Sequence, residues 1–384
     1  MRRPLQGQYL ACTVNGIPAR SFIPAALPPE PDIRVSADLT QAFDQALLAL
    51  GHFNGVLATL RDRDLLFSHM ARLEGVLSVA IDGVETSVTD VLLDQVGIAP
   101  CGSPEDAQEA MRYAAMLEHG FKSMDSQQIL TPGFLYEQAA ALRAPGEVEE
   151  GGVRQAPLIL NADSKPVCIA PPEIEIPRLM SEWDGFIHST CGYFSSVPTL
   201  ALAHLQLMAI APFAGRNTQM ARAAVLYLLK ERGMLTSPVL PVSFYLYQHR
   251  ESYWQLLRST LLEGDWELWL AFFAKAIEEG AVHGAKVAKD LQTVLDRDME
   301  RIGAARHSAS MLQVLKGFAV HPMTTGVELS ASTGLMPMTV NKALANLMEM
   351  GLIKEVTGQK RYRIYSYMKF IDVLNDGTGM PVCH

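Results

Sequence analysis

The chain has 384 residues, enough for two or three domains with sizeable cores, and its 49% hydrophobic and 19% charged residues exclude an intrinsically disordered protein. The formal net charge of −9 offers nucleic acid no overall attraction, so any contact with it requires a local basic face. The most apolar run, 200–213, contains His204 and Gln206 and is too short to span a bilayer.

The cysteine pattern bears on the compartment. The chain has five cysteines and no CxxC pair, at Cys12, Cys101, Cys168, Cys191 and Cys383. An odd and scattered set argues against a zinc site and against a disulfide framework, and it fits a reducing environment. The residues after Met1 include Pro4 and Gln6, which break up the apolar core of a signal peptide. We therefore expect a cytoplasmic protein with no membrane contact and no metal site.

Residues 1–33 are rich in proline, which predicts an extended arm along the surface. From Ser36 onward apolar residues recur every three or four positions, and this spacing predicts one helix there and another across 64–77. The stretch 78–83 ends the second helix with Gly83, a residue suited to a C-cap. The same periodicity predicts two further helices, at 103–123 and 130–142.

A change of period marks residues 145–172. Glycines bracket the apolar run 153–160, and a polar turn at 161–164 joins it to a second short run at 166–169. Two short runs joined by such a turn predict a β-hairpin. Taken alone, this hairpin is as compatible with surface decoration as with a binding element. A helix across 177–187 follows it.

The centre of the chain is a pair of apolar helices. The first is predicted over 199–210 and ends before Pro212, because proline cannot donate a hydrogen bond into a continuing helix. The loop 213–218 follows, and the second helix opens near Thr218 and runs to Leu229. This arrangement points the unpaired N–H groups of a helix N-terminus at a loop, which is the geometry of an anion site. The alternative is that the two helices are kept because they form the core.

The rest of the chain is predicted to be helical up to about residue 302 and then to contain both helices and strands. Helices are predicted over 251–257, 265–279 and 281–302. The last unit contains a helix at 311–318, a helix–turn–helix across 326–350, and strand-like runs at 352–354 and 362–365. Helix, helix–turn–helix and hairpin is the order of a winged-helix domain.

Residues 211–222 read APFAGRNTQMAR and resemble the signature of the Fic family, H-x-F-x-[D/E]-G-N-G-R-x-x-R. Phe213, Asn217 and Arg222 match it. The departures are Ala211 for the histidine, Gly215 for the acid, Arg216 and Thr218 for the two glycines, and Gln219 for the first arginine. The segments that follow, up to 279, also look like the Fic core, and with the C-terminal unit the resemblance covers most of the chain.

The resemblance implies a mainly α fold, with a Fic-like helical core, a β-hairpin flap and a small C-terminal winged-helix domain. The implied domains are an N-terminal arm and helical region with a degenerate inhibitory motif at 1–98, the Fic-like core at 99–290 and the winged helix at 305–384. In the family the flap pairs with the main chain of a target protein beside the nucleotide, which implies a protein partner at the hairpin. The resemblance also leaves room for a homodimer.

Residues 78–83, SVAIDG, are similar to the family's inhibitory motif, [S/T]-x-x-x-E-[G/N], and the matching positions are Ser78, Asp82 and Gly83. In the family the glutamate pairs with the last signature arginine, which implies a pair between Asp82 and Arg222 here. Aspartate is one methylene shorter, so we expect a weaker or water-mediated contact. Without the resemblance the stretch is an ordinary helix cap.

The resemblance implies AMP transfer from ATP to a protein hydroxyl, but this chain lacks the residues that perform it. The family histidine takes the hydroxyl proton, which contributes ~10²–10⁴ in rate, and Ala211 cannot accept a proton. The family acid binds Mg²⁺, and Gly215 in its place argues against Mg²⁺ here. The implied nucleotide or anion contacts are Phe213, Gly215, Arg216, Asn217, Thr218, Gln219, Arg222, Tyr253 and Trp254. For the last two, core packing is the alternative.

Several functions stay open for the signature region. It can persist as core structure, it can bind a nucleotide or anion without transfer, or it can retain transfer through an unusual base and another donor. The first two describe a pseudoenzyme that works as a binding protein. His204 lies seven residues before Ala211 on an apolar helix, which predicts a packed core histidine. His188 and His249 have no partner nearby in sequence, so no catalytic residue is assigned.

The C-terminal unit adds another class of function, a DNA-binding regulator in which the Fic-like core is a sensor. The candidates for DNA contact are Thr339, Asn341, Lys342, Lys360, Arg361 and Arg363. Because phosphate contacts dominate affinity, so sparse a basic set predicts weak, salt-sensitive binding. A winged helix that docks a protein or forms a dimer is an equal alternative.

Overall fold

The computed structural model describes residues 5–14, 17–61, 63–144, 153–154, 170–189, 196–236, 239–304, 308–359 and 361–380. Over these residues the chain is mainly helical, as predicted, with two small antiparallel sheets. The hairpin predicted across 145–172 lies almost wholly outside the described residues. Within the described ranges, no helix has the length and apolar character that crossing a membrane requires.

The chain begins with a β-hairpin of β1 (Gly7–Val14) and β2 (Ile17–Pro24), in which Gly7 pairs with Pro24. The sequence predicted an extended arm here and missed the pairing. Proline concealed it, because a residue without an N–H is tolerated only at the ends and edges of strands. Pro18 and Pro24 lie at the two ends of β2, in a sheet whose two strands are both edges.

The helices that follow in the described chain are α1 (Ala37–Thr59), α2 (Arg63–Ile81), α3 (Val88–Gln95), α4 (Pro104–Asp125), α5 (Pro132–Ala141), α6 (Ile176–Ile187), α7 (Ser196–Ile210) and α8 (Asn217–Glu231). Side-chain caps mark the starts of α1, α3, α4 and α5. The Ser36 hydroxyl accepts from the Leu39 N–H at α1, and Ser87 forms a capping box with Asp90 at α3. The sequence missed α3, since eight residues give little helical periodicity.

After α8 come α9 (Ser243–Gln248), α10 (Arg250–Glu263) and α11 (Trp266–Gly303). The sequence predicted two helices where α11 is continuous, and the predicted break near residue 280 is wrong. Gly280 serves close packing instead, because a Cβ there would lie 2.9 Å from the carbonyl oxygen of Pro241. The long helix packs against α1 and continues toward the C-terminal unit.

Helix α7 lies at the centre of the core. All its residues from Val197 to Leu207 are buried, so it is apolar and covered on every side. The indole N–H of Trp183 donates to the carbonyl of Ala203 at 3.0 Å, and the indole N–H of Trp269 donates to the carbonyl of Ala201 at 2.9 Å. These two bonds attach α6 and α11 to the central helix.

The C-terminal unit consists of α12 (Ser308–Val320), β3 (Met323–Thr325), α13 (Gly326–Thr333), α14 (Pro337–Glu349), β4 (Lys354–Glu355), β5 (Ile364–Ser366) and α15 (Met368–Asn375). The strands form one antiparallel sheet in the order β3–β5–β4. The predicted order of helix, helix–turn–helix and paired strands is present. The short helix α15 was not predicted.

Buried polar contacts attach this unit to the rest of the protein. The Nε2–H of His69 in α2 donates to the carbonyl of Ala319 in α12 at 2.8 Å. The hydroxyl of Tyr367, just before α15, donates to the carboxylate of Asp298 in α11 at 2.9 Å. The side chains of His69 and Tyr367 are fully buried. Separating the C-terminal unit from the core would therefore leave these polar groups without hydrogen-bond partners.

Cys101 is disulfide-bonded, whereas Cys12 is free. The argument from scattered cysteines against disulfides is therefore wrong for Cys101. Spacing along the chain does not show which thiols meet in space, and geometry alone decides which can be bridged.

Two helical glycines provide a matched test of the packing between α2 and α4. A Cβ at Gly75 would lie 2.6 Å from the backbone oxygen of Ala110, whereas a Cβ at Gly55 in α1 meets nothing within 4 Å. We expect Gly75→Ala to lower the free energy of unfolding by about 1–3 kcal/mol through overpacking. Gly55→Ala should raise it by about 0.5–1 kcal/mol, because alanine restricts the unfolded chain. Urea denaturation measures both, and equal effects would contradict the close contact.

Candidate functional site

The predicted signature loop joins α7 to α8 and contains strained backbone at both ends. Ala211 has φ 45° and Arg216 has φ 55°, in the left-handed region that residues with a Cβ rarely occupy. The side-chain amide of Asn217 accepts from the Phe213 N–H and donates to the Phe213 carbonyl, both at 2.8 Å. Asn217 therefore holds the loop closed through both polar backbone groups of Phe213.

A residue that sequence reasoning did not single out also fixes this loop. The backbone N–H of Arg154 donates to the carbonyl of Pro212 at 3.0 Å, and its Nε donates to the carbonyl of Ala211 at 2.7 Å. A second guanidinium nitrogen donates to the carbonyl of Pro171. Arg154 is buried, and burial lowers its pKa. It lies within the predicted flap segment, where the sequence pattern drew attention only to the apolar run and its glycines.

Arg222 is fully buried, and its guanidinium bonds to Ser78 near the end of α2 and to Asp82 just after it. Its Nε donates to the Ser78 hydroxyl at 2.8 Å, and one Nη donates to the Ser78 carbonyl at 2.9 Å and to the Asp82 carboxylate at 2.7 Å. Burial alone would lower the arginine pKa, but the Asp82 carboxylate outweighs it and the pKa is raised. The guanidinium is thus a permanent cation held inside the protein.

Asp82 joins α2 to the N-terminus of α8 through two residues. Besides Arg222, its carboxylate accepts from the Thr218 hydroxyl at 2.8 Å. The pairing implied by the inhibitory-type motif is therefore present, and it is a direct contact of 2.7 Å and not a water-mediated one. Gly83, with φ 90°, follows the end of α2 as its C-cap prediction required.

A second carboxylate, Glu109 of α4, reaches the same helix end. The side-chain amide of Gln219 donates to it at 2.6 Å, and the Nε of Arg216 lies 3.9 Å from the same oxygen. The sequence offered no signal for Glu109, since the predicted helix there was read only for its apolar side. Asp82 and Glu109 together contact Arg216, Thr218, Gln219 and Arg222.

The contacts of Asp82 and Glu109 determine whether the loop can bind phosphate in this arrangement. Cations and donors at a helix N-terminus attract phosphate, but here the side chains of Arg216, Thr218, Gln219 and Arg222 face carboxylates of the same chain. Gly215 faces open space, since a Cβ there would meet nothing within 4 Å, and it has no side-chain oxygen for a metal. Ala211 is buried and has no titratable group. The positions of the family's acid and base therefore supply neither a side-chain metal ligand nor a base.

The two aromatic candidates differ in their exposure. Tyr253 is fully buried, and its hydroxyl lies 2.8 Å from Nε2 of His204. Burial raises the pKa of Tyr253 to about 12 and lowers that of His204 to about 3. His204 stacks on Trp269 at 5.8 Å, so the prediction of a packed core histidine is confirmed. Trp254 is 39% exposed and packs edge-on against Tyr253.

The DNA-contact candidates lie in the C-terminal unit, on a separate element from the loop. Thr339, Asn341 and Lys342 are exposed on α14, and Arg361 and Arg363 are exposed between β4 and β5. Lys360 lies outside the described residues.

Comparison with solved structures defines the fold. A Fic family protein from Desulfovibrio desulfuricans G20 is 18% identical, with a TM-score of 0.57 over 88% of this chain and 98% of that chain. Fic-1 from C. elegans (residues 134–508) is 17% identical, with a TM-score of 0.52 over 65% of this chain and 74% of that chain. The protein therefore has the Fic fold.

A family model supports the relationship from the sequence side. Residues 40–122, which run from α1 nearly to the end of α4, match the Fic/DOC family N-terminal model. This range contains both Asp82 and Glu109. The N-terminal region thus matches the Fic/DOC family model, and the described chain as a whole has the Fic fold.

Glu74 extends the α2 face that carries Ser78 and Asp82, one further turn back. It is fully buried, and its carboxyl accepts from the Ser243 N–H at 3.0 Å and contacts the Ser243 hydroxyl at 2.6 Å. Burial raises the pKa of Glu74 to about 8, against the opposing effect of the Ser243 hydrogen bonds and of Arg222. Glu74 is thus protonated at neutral pH, and its neutrality leaves Asp82 as the carboxylate that balances Arg222.

The raised pKa of Glu74 makes stability depend on pH. Between about pH 4.5 and 8 the folded protein keeps a proton that the unfolded carboxyl releases, so stability falls as pH rises. The slope from this group is at most about 1.4 kcal/mol per pH unit. Glu74→Gln should remove it, so the variant should lose less stability than the wild type between pH 5 and pH 8 in urea titrations. The exposed Glu137→Gln is the control, and a wild-type slope retained in Glu74→Gln would contradict the assignment.

Proposed function

We propose that this protein is a pseudoenzyme of the Fic family, which keeps the fold without AMP transfer and acts by binding other molecules. One observation carries the proposal: the carboxylates of Asp82 and Glu109 are the partners of the cations and donors that would hold phosphate. The signature region is then a closed piece of core in which protein anions replace the nucleotide.

Arg222 supports this proposal most strongly. A phosphate-binding arginine must present its guanidinium to solvent or ligand, but that of Arg222 is fully buried and bonded to Ser78 and Asp82. Removing a buried charge from its partner costs ~3–5 kcal/mol, so a phosphate would have to replace the Asp82 contact as well as reach it. The role of Arg222 in this proposal is therefore to join α8 to α2.

The chemistry of AMP transfer also supports a pseudoenzyme. Removing the proton of a target hydroxyl requires a base, and Ala211 at the family's base position has none. His204 does not substitute, because it is buried in an aromatic cluster with its Nε2 bonded to Tyr253. Without a base or a metal ligand at Gly215, any residual transfer is expected to be very slow.

The main alternative is a nucleotide sensor that opens when α2 and α4 move away from α8. The cations Arg216 and Arg222 would then regain the role that the resemblance implies for them. The two proposals differ in one respect, whether the wild-type protein binds ATP. Binding that disappears in Arg222→Ala would favour the sensor over the closed pseudoenzyme.

Charge removal at the two carboxylates tests the proposal directly. By titration calorimetry with ATP, with and without Mg²⁺, we expect no heat from the wild type. The variant Asp82→Asn/Glu109→Gln should bind ATP, because it removes the two negative charges that face Arg216 and Arg222. The variant Asp94→Asn/Glu105→Gln removes the same charge from the same region and should behave as the wild type. Circular dichroism confirms that each variant is folded.

A labelling assay tests whether the protein transfers AMP. With ATP labelled at the α-phosphate, neither the wild type nor the double variant should transfer label to itself or to added protein, because both lack a base. Label on protein from the wild type would overturn the pseudoenzyme. If the double variant is folded and still fails to bind ATP, the carboxylates are not what excludes the nucleotide.

A second candidate function is DNA binding by the C-terminal unit. The observation that favours it is the exposure of Thr339, Asn341 and Lys342 along α14, with Arg361 and Arg363 exposed beside the strands. A polar helix face flanked by cations suits a groove and the adjacent phosphates. The exposed Met336 and Met338 at the start of α14 favour instead a protein partner on the same face.

Salt dependence distinguishes these partners. We expect weak binding to duplex DNA whose affinity falls with salt, and Arg361→Gln/Arg363→Gln should reduce the logarithmic salt slope by about 2. The control Lys289→Gln/Lys369→Gln removes two exposed cations elsewhere and should leave the slope unchanged. Fluorescence anisotropy of a labelled duplex measures both, and equal slopes for all three proteins would exclude this DNA contact.

A further inference from the structure

A cavity of about 380 Å³ lies where the C-terminal unit meets the rest of the protein. Its walls come from α2 and α11 on one side and from α12 and α15 on the other. Pockets that bind small molecules usually measure ~300–1,000 Å³ and are mostly apolar with a few polar groups. The volume of this cavity therefore falls in the range of small-molecule sites.

The floor of the cavity is apolar and uncharged. Leu66, Leu291, Ala319 and Phe370 line it, and all four are buried. The one polar group at the floor, the His69 ring, has both nitrogens occupied, by the Ala319 carbonyl at 2.8 Å and by the Arg72 guanidinium at 3.2 Å. Burial lowers the pKa of His69 to about 3, so the ring is neutral. The floor thus suits hydrocarbon.

The rim of the cavity is cationic. Arg61 on the α1–α2 connection and Lys316 on α12 both line it, and both are exposed. Arg61 also contacts the carboxylate of Asp296 at 3.4 Å, but with 76% of its side chain exposed it remains available to a ligand. Two cations above an apolar floor favour a ligand with one anionic end.

The shape favours a chain over a compact ring system. Leu60 and Gln292 line the cavity and also line a groove between α1 and α11, so the two spaces meet at these residues. A ligand can therefore extend from the cavity along the groove. A flexible hydrocarbon chain follows such a path, whereas a bulky ring system fills only the cavity.

We propose that this cavity binds a single-chain amphiphilic carboxylate, with its hydrocarbon against Leu291 and Phe370 and its carboxylate between Arg61 and Lys316. Because α2, α11, α12 and α15 all contribute walls, the bound ligand contacts both the core and the C-terminal unit. Binding therefore stabilises the junction between them, whether or not the signature region binds a nucleotide.

Decanoate, below its micellar concentration, is the probe for this site, and decan-1-ol is its uncharged counterpart. We expect decanoate to raise the melting temperature of the full chain, since a ligand that binds only the folded state stabilises it. Decan-1-ol should raise it less. Calorimetric titration gives the dissociation constants for both probes.

Three variants locate the binding. Ala288→Leu fills part of the cavity from α11, so it should abolish the decanoate effect while leaving the unliganded melting temperature unchanged or higher. Lys316→Gln, at an exposed site, should weaken decanoate about threefold, as expected for an exposed ion pair. Lys342→Gln removes an exposed lysine of the same unit away from the cavity and should bind as the wild type.

Each outcome bears on the proposal. No stabilisation of the wild type by decanoate overturns it, and so does unchanged binding in a folded Ala288→Leu variant. Equal affinity for decanoate and decan-1-ol, together with equal effects of Lys316→Gln and Lys342→Gln, overturns the carboxylate recognition. Selective loss in Ala288→Leu and Lys316→Gln supports both the cavity and its rim.

Discussion

The buried guanidinium of Arg222 constrains the whole signature region. A cation that is removed from water needs its charge balanced and its donors bonded by the protein. Asp82 balances the charge of Arg222, and Ser78 with Asp82 bonds its Nε and one of its two Nη groups. This requirement fixes how α2 approaches α8, and it makes the N-terminal region part of the core. Neutral Glu74, one turn further along α2, keeps a second negative charge out of the same interior. The Fic fold here is thus organised around an internal ion pair.

The loop between α7 and α8 shows how a ligand site can persist as structure. Asn217 bonds both polar groups of Phe213, and Arg154 bonds the carbonyls of Ala211 and Pro212. These contacts stabilise a left-handed backbone at Ala211 that otherwise costs energy. The polar backbone groups of Phe213 and the carbonyls of Ala211 and Pro212 are thus bonded by other residues of the chain.

The sequence predicted the helical fold, the loop and the partnership of Asp82 with Arg222, because periodicity, Pro212 and a known motif each mark them. It did not reveal Glu109 or Arg154, since their roles arise from contacts across 110 and 57 positions of the chain. Long-range polar contacts have no local pattern. The continuity of α11 was missed for a related reason: Gly280 reads as a helix breaker until its neighbour Pro241 is known. The hairpin at the N-terminus was hidden by its prolines.

The close contact at Gly75 has a consequence for how the signature region would open. Helices α2 and α4 touch there with almost no clearance, since Gly75 lies against the backbone of Ala110. Asp82 is carried by the first helix and Glu109 by the second. Because the two helices are in such close contact, we expect them to move together and to carry both carboxylates away from α8 in one step.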